Sequence, residues 1–154
     1  MCYGYFKKKL MKKLVVFLLF LFSSVNIFAQ DKVDEILGVW EIKDKTAKME
    51  VFKCGEEYCG KLLWGKDIVE KDGVTSKKDV KNPDPNLRSR DIVGITYLKG
   101  LTFDGDEYVN GRIYNSSNGK TYKCYVWFED DILHLRGYLG LPTMGQTTKW
   151  FRIK

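Results

Sequence analysis

The chain has 154 residues, enough for one domain with one core, and its formal net charge is +6. Five lysines and no carboxylate fall within the first 29 residues, so most of this excess lies there. The rest carries 21 basic and 20 acidic side chains, a balance that gives no argument for nucleic acid or for an acidic membrane surface.

The first 29 residues have the three parts of a secretory signal peptide. Lysines at 7–13 precede an apolar run at 14–22, and Ile27-Phe28-Ala29 offers a cleavage site before Gln30. Met11 is an alternative start. We therefore expect an exported protein, periplasmic or secreted, with no transmembrane segment after cleavage and one domain at 30–154.

From Leu37 onward, apolar and polar side chains alternate with a period of two between short turns, as in antiparallel strands. Apart from one long loop after the third strand, every connection is short enough for sequential hairpins. Closing such a sheet removes its edges, so we predict an all-β, eight-stranded antiparallel up-and-down barrel; a flattened sandwich is the alternative. A short helix within 31–37 is expected to plug one end. The predicted strands span 37–44, 47–54, 57–64, 92–99, 107–114, 120–129, 132–139 and 146–153.

Three cysteines remain after export. Cys54 and Cys59 flank a hairpin turn, so we expect them to form a disulfide in an oxidising compartment. Cys124 alternates with apolar neighbours and is expected to be a buried small residue, with a reactive thiol as the alternative. His134 is the only histidine. No spacing indicates a metal site, a cofactor or a nucleophilic triad, and no catalytic residue is assigned.

The long loop, roughly 65–91, ends in a stretch rich in prolines and charges. Its two arginines, Arg88 and Arg90, lie between Asp84 and Asp91. We favour ion pairs between these arginines and carboxylates that pin the loop across the barrel mouth. Alternatives are acid–base catalysis by the carboxylates, or arginines that grip a carboxylate or phosphate headgroup. The loop motif comprises Asn82, Pro83, Asp84, Pro85 and Asp91.

Aromatic side chains are numerous for a chain of this length. In a small barrel they either line a pocket or fill the core, and an apolar pocket with a few polar groups is the usual ligand site. The glycine-containing turn at 137–142 is a second candidate for the rim. With Arg88 and Arg90, the predicted ligand-binding residues are Trp64, Tyr97, Tyr114, Tyr122, Trp127 and Tyr138.

Gly38-Val39-Trp40 on the first strand and Arg152 on the last resemble the lipocalin and calycin signature. In that signature the arginine lies over the tryptophan ring and closes the barrel base through a cation–π contact. The resemblance therefore implies that Gly38, Trp40 and Arg152 close the barrel rather than contact a ligand.

A longer series of motifs resembles domain-of-unknown-function family 2147, a group of small exported bacterial proteins. That resemblance implies a lipocalin-like barrel and export, but no established activity and no catalytic residues. Where such relatives often have proline after the second arginine, this chain has Asp91. The motifs, in order, are Gly38-Val39-Trp40, Phe52-Lys53-Cys54-Gly55, Cys59-Gly60-Lys61, Asn82-Pro83-Asp84-Pro85, Leu87-Arg88-Ser89-Arg90, Gly119-Lys120-Thr121-Tyr122 and Arg136-Gly137-Tyr138.

Together these observations predict an exported, lipocalin-like protein that binds or carries a small, mostly apolar or amphipathic molecule, with or without an anionic head. One alternative is a cell-envelope enzyme that uses the loop carboxylates. Another is an interaction module in which a filled barrel presents the long loop to a protein partner.

Overall fold

A computed structural model describes residues 32–154 of the chain. The predicted signal peptide at 1–29 and its Met11 alternative lie outside the described residues. Residues 36–154 form one compact unit. Of the helix predicted within 31–37, residues 32 and 33 are helical and residues 34–36 form a turn.

Residues 36–154 form a closed antiparallel barrel in which each strand pairs with its neighbours in the sequence and the first pairs with the last. The predicted eight-stranded up-and-down barrel is therefore confirmed, and the sandwich alternative is wrong. The strands are β1 (Gly38–Ile42), β2 (Ala47–Cys54), β3 (Glu57–Gly65), β4 (Thr96–Phe103), β5 (Tyr108–Asn115), β6 (Lys120–Glu129), β7 (Ile132–Tyr138) and β8 (Gln146–Arg152).

β4 differs most from the sequence-based prediction, which placed it at 92–99 rather than at Thr96–Phe103, a shift of four residues at each end. Ile92 and Val93 are apolar, but their backbone N–H groups both donate to Ser76 Oγ at 3.0 Å. Gly94 then adopts φ +88°, which breaks the strand conformation. The run from 92 to 95 therefore belongs to the long loop.

The two ends of the barrel differ in how their interiors are filled. The closed end carries the turns between β2 and β3, between β4 and β5, and between β6 and β7, together with the C terminus; we define it as residues 53–57, 104–107, 129–131 and 152–154. The open end carries the other four connections; with the flanking strand residues Asn115 and Lys120, we define it as residues 43–46, 66–95, 115–120 and 139–145. No helix in the described part of the chain is long and apolar enough to span a membrane.

Aromatic rings fill the interior at the closed end. Trp40 is fully buried, and its ring centroid lies 5.7 Å from that of Phe128. The ring centroids of Tyr108 and Tyr58 are 5.4 Å apart in an edge-on contact. Trp40 Nε1 donates to the Ile36 carbonyl at 3.0 Å, and the Ile36 N–H donates to the Tyr108 hydroxyl at 3.2 Å. These bonds satisfy the buried polar atoms of two large rings. The aromatic cluster, which plugs the closed end, therefore carries little free-energy cost for unpaired polar groups.

Arg152 covers Trp40 from outside this plug. Its guanidinium carbon lies 4.2 Å from the Trp40 ring centroid, and its Nη1 donates to the Leu37 carbonyl. Gly38 has φ +135°, and a Cβ there would lie 2.7 Å from Arg152 Nη1. A side chain at position 38 would therefore displace the arginine, which explains why glycine precedes the tryptophan by two residues.

The predicted disulfide between Cys54 and Cys59 is confirmed. The two cysteines face each other across the β2–β3 hairpin, with Cα atoms 5.9 Å apart. Because it closes a loop of only a few residues, the bond is a local crosslink at the closed end.

Candidate ligand-binding site

A cavity of about 710 Å³ occupies the open end of the barrel. Residues of the six strands β3 to β8 form its walls, and residues of the β5–β6 and β7–β8 connections form its rim. Within residues 32–154, no charged side chain lines it. The lining comprises Leu62, Tyr97, Ile113, Tyr114, Asn115, Ser116, Asn118, Tyr122, Leu135, Gly137, Tyr138, Leu139, Met144, Gln146, Thr148 and Trp150.

Small inward-facing residues explain why this end stays open. Gly137 on β7 has no side chain, and a Cβ there would meet only Ile113 Cγ2, at 3.5 Å. Thr148 faces inward on β8, between Gln146 and Trp150. At the closed end the equivalent space is taken by aromatic rings, so the interior is filled at one end and hollow at the other.

Several polar side chains of the cavity have hydrogen-bond partners within the barrel. The Tyr97 hydroxyl donates to Met49 Sδ at 3.0 Å, and burial raises its pKa. Trp150 Nε1 donates to Thr148 Oγ1 at 2.8 Å. At the rim, Asn118 Nδ2 donates to the Tyr122 hydroxyl at 2.8 Å. The walls are thus apolar, and the rim presents amide and hydroxyl groups that can still accept or donate.

The structure brings together four of the six predicted aromatic residues. Tyr97, Tyr114, Tyr122 and Tyr138 line the cavity. Trp64 instead donates from Nε1 to the Gly73 carbonyl at 2.9 Å and anchors the start of the long loop.

Trp127 lies on the outer face of β6. It stacks on Tyr125 with ring centroids 5.3 Å apart and lies 4.9 Å from the His134 ring. Because its neighbour Val126 is fully buried, the alternation of the strand turns Trp127 away from the interior.

Asp79 organises the long loop. Its side chain is fully buried, and it accepts hydrogen bonds from Arg90 Nε and Nη2 at 3.0 and 2.8 Å, from Asn82 Nδ2 at 2.7 Å, and from the Tyr114 hydroxyl at 2.6 Å. Burial raises the pKa of Asp79, but hydrogen bonds from Tyr114, Asn82 and Arg90 outweigh it and hold the pKa below its ordinary value. Burial and the bond to Asp79 raise the pKa of Tyr114 to about 12.

The expected partners of the two arginines differ from those observed. Arg90 pairs with Asp79 rather than with Asp84 or Asp91, and Arg88 Nε donates to the Asn82 carbonyl at 2.8 Å. Neither arginine lines the cavity. Sequence reasoning missed Asp79 because it lies outside the proline-containing motif; its spacing of three residues from the turn-forming Asn82 was the available signal.

The loop carboxylates have structural partners of their own. Asp84 Oδ1 accepts from the Asn86 N–H at 2.9 Å and caps a short 3-10 helix, Pro85–Leu87, that follows Pro83. Asp91 pairs with Lys78 at 2.8 Å on the exposed surface. Neither carboxylate lines the cavity, so the contacts give the enzyme alternative no support.

The loop is also held against the β5–β6 hairpin. Lys81 Nζ donates to the Ser117 carbonyl at 2.6 Å. Gly119 approaches the Lys81 backbone so closely that a Cβ at 119 would lie 2.0 Å from the Lys81 carbonyl oxygen. Asn82 Nδ2 lies 3.3 Å from the Tyr114 hydroxyl. These contacts fix the loop beside one side of the cavity rim.

Cys124 and His134 do not form a catalytic pair. Cys124 is buried inside the barrel, and burial raises the pKa of its thiol to about 12, so it remains protonated at neutral pH. His134 pairs with Trp127 across β6 and β7, and its Nε2 lies 3.5 Å from Glu129 Oε2. Among residues 32–154, no group of histidine, cysteine and carboxylate side chains is arranged to hold a metal ion.

An eight-stranded antiparallel barrel, plugged at one end and hollow at the other, defines a lipocalin-like protein. Residues 38–152 match the model of the DUF2147 family, described as uncharacterized proteins conserved in bacteria, and the chain belongs to that family. It is similar to a solved structure described as protein HP1028 from the human pathogen Helicobacter pylori, belonging to the lipocalin family. The identity is 27%, the TM-score is 0.67, and the match covers 77% of this chain and 83% of that one. No curated protein matches the chain.

Proposed function

We propose that the protein binds a small, mostly apolar molecule in the cavity at the open end of its barrel. The observation that carries the proposal is the cavity of about 710 Å³, with apolar walls and hydrogen-bonding groups at its rim. Burial of apolar ligand surface supplies the affinity, and the rim groups orient the polar end. The lipocalin-family neighbour supports a ligand-binding barrel in general.

The polar end of the ligand is neutral in this proposal. An anionic head was the option that Arg88 and Arg90 offered, but these arginines donate to Asn82 and Asp79 within the long loop. The groups that do reach the rim, such as Asn118 and Tyr122, are an amide and a hydroxyl. They suit a hydroxyl, ester or amide group on the ligand.

We also propose that the protein is exported and cleaved before Gln30. The disulfide between Cys54 and Cys59 supports this, because such bonds persist in oxidising compartments. The mass of the protein recovered from an exporting bacterial host tests it. A chain that retains residues 1–29 would overturn cleavage.

Native mass spectrometry of the processed protein, followed by organic extraction, tests the ligand. We expect a bound small molecule that is released on denaturation. A Cβ at position 137 would meet only Ile113 Cγ2, so the side chain of Gly137→Leu can enter the cavity and take up part of its volume; the substitution should weaken binding while the melting temperature is kept. Lys149→Leu, an exposed change on the outer side of β8, is the matched control and should bind normally.

Two results would count against the proposal. The first is a bare wild-type mass that stays unchanged after incubation with fatty acids, fatty alcohols and phospholipids. The second is equal ligand content in wild type and Gly137→Leu, which would place the ligand outside the cavity.

A further inference from the structure

The connection between β7 and β8, residues 139–145, carries apolar side chains into solvent at the rim of the cavity. Leu139, Leu141 and Met144 are 55%, 66% and 80% exposed. The segment contains no charged residue. Leu139 and Met144 also line the cavity, so this exposed apolar surface is continuous with the proposed ligand site. Soluble proteins seldom expose clustered large apolar side chains unless something binds there.

Arg136 holds this connection in place. Its Nε donates to the Pro142 carbonyl at 2.7 Å, its Nη2 to the Thr143 carbonyl at 3.2 Å, and its Nη1 to Thr147 Oγ1 at 2.7 Å. These bonds fix the short 3-10 helix Pro142–Met144. The apolar side chains are therefore held outward by a bonded backbone.

Charge is distributed unequally between the two ends of the barrel. The open end, as defined above, carries ten lysines and arginines against seven carboxylates, whereas the closed end carries three against eight. Asp79 and Arg90 neutralise each other in a partly buried ion pair, so nine cations against six carboxylates remain on the rest of the open end. The near-neutral balance of the whole domain conceals this asymmetry.

We propose that the open end docks on an anionic phospholipid surface. In this arrangement Leu141 and Met144 insert among the lipid headgroups, open-end cations such as Lys43 and Lys120 face the phosphates, and the acidic closed end points into water. The cavity then opens toward the bilayer. The proposal goes beyond ligand binding, since docking requires only the outer surface of the open end.

The size of the apolar surface favours a membrane over a protein partner. A stable protein interface buries roughly 800 Å² per partner, far more than three side chains of one connection can supply. Shallow insertion needs only a few apolar side chains supported by nearby cations. The long loop adds Val80, 65% exposed, beside Lys81 at the same end.

Vesicle flotation of protein beginning at Gln30, which contains the whole 36–154 unit, tests the proposal. Wild type should float with vesicles of phosphatidylethanolamine and phosphatidylglycerol, should float far less with phosphatidylcholine vesicles, and should be released by added salt. The double variant Leu141→Gln and Met144→Gln should lose roughly tenfold in vesicle affinity. Ile153→Gln is the matched control, since Ile153 is an apolar residue 49% exposed at the closed end, and it should bind as wild type does.

Thermal unfolding of each variant checks that the barrel is intact. Gly137→Leu should bind vesicles normally even though its side chain occupies part of the cavity, so failure of docking and failure of ligand binding are distinguishable. The docking proposal is overturned if wild type does not float with anionic vesicles. It is equally overturned if the double variant floats as well as the Ile153→Gln control.

Discussion

Tyr114 donates a 2.6 Å hydrogen bond to Asp79, which joins a strand of the barrel to the buried carboxylate of the long loop. Arg90 and Asn82 donate to the same carboxylate from within the loop. A buried carboxylate is tolerated only when its oxygens are well bonded, and here four donor contacts satisfy it. Asp79 therefore fixes the loop to the barrel next to the cavity rim.

Asp79→Asn should reduce the free energy of unfolding by on the order of 1–3 kcal/mol at neutral pH, because it leaves Arg90 without its charged partner. Urea unfolding measures this change. Asp91→Asn is the matched control: its pair with Lys78 is exposed, and such pairs contribute only about 0–1 kcal/mol. Equal effects of the two substitutions would contradict the assigned role of Asp79.

The stability difference between wild type and Asp79→Asn should depend on pH. The pKa of Asp79 in the folded protein lies below its ordinary value of 3.8, so its contribution is fully present above 3.8. It is lost as the pH falls through the lowered folded-state pKa, where the carboxylate takes up a proton. The unfolding free energies of wild type and Asp79→Asn should therefore converge as the pH falls across the acid range. A difference that stays constant with pH would contradict this linkage.

Trp40→Ala should cost roughly 3–5 kcal/mol of stability, because it removes a fully buried ring and the surface on which Arg152 rests. Chemical denaturation provides the measurement. Trp127→Ala removes the same side chain from the outer face and should cost clearly less. An unchanged melting temperature in Trp40→Ala would show that the ring does not close the barrel.

Reduction of the Cys54–Cys59 disulfide should lower stability by about 2 kcal/mol, the value expected for a loop of this length. Urea unfolding with and without reductant measures it. In the double variant Cys54→Ser and Cys59→Ser, the same reductant should have no effect. If reductant still lowered the stability of the double variant, the loss could not be assigned to the Cys54–Cys59 disulfide.

Cys124 should resist thiol reagents in the folded protein. Its thiol is buried, and its pKa of about 12 leaves almost no thiolate at neutral pH. In protein beginning at Gln30 and assayed without reductant, a chromogenic disulfide reagent should detect no thiol in the native state and one after denaturation. Rapid labelling of native protein would instead favour the reactive-thiol alternative.

The strands were predictable because each is encoded locally. For example, inward-facing Val126 precedes outward-facing Trp127 on β6, and inward-facing Leu135 precedes outward-facing Arg136 on β7. This alternation with a period of two predicts both the strand and the face that turns inward. The start of β4 was not predictable in the same way. Ile92 and Val93 look like strand residues, and hydrogen bonds to the distant Ser76 hydroxyl and Lys77 carbonyl hold them in the loop.

The candidate site was less predictable than the fold. Four tyrosines of the cavity could be predicted because aromatic residues commonly line such sites. Trp64 and Trp127 were predicted on the same ground, but their side chains lie outside the cavity. The partner of Arg90 depends on the three-dimensional path of the loop, which no local spacing records. The cavity itself depends on the combined volume of residues such as Gly137, Thr148 and Ile113, which meet from different strands.

Pairing of β1 with β8 has a consequence for how the barrel folds. The hydrogen bond from Arg152 to the Leu37 carbonyl joins positions 115 residues apart, so ring closure is the contact of longest sequence separation and is expected to form last. Until β8 arrives, β1 and β7 present unpaired edges that can pair with other chains. A chain exported with its N terminus first would form this partly folded sheet with two unpaired edges before β8 had crossed the membrane. Its risk of aggregation would end only when β8 emerged and closed the barrel.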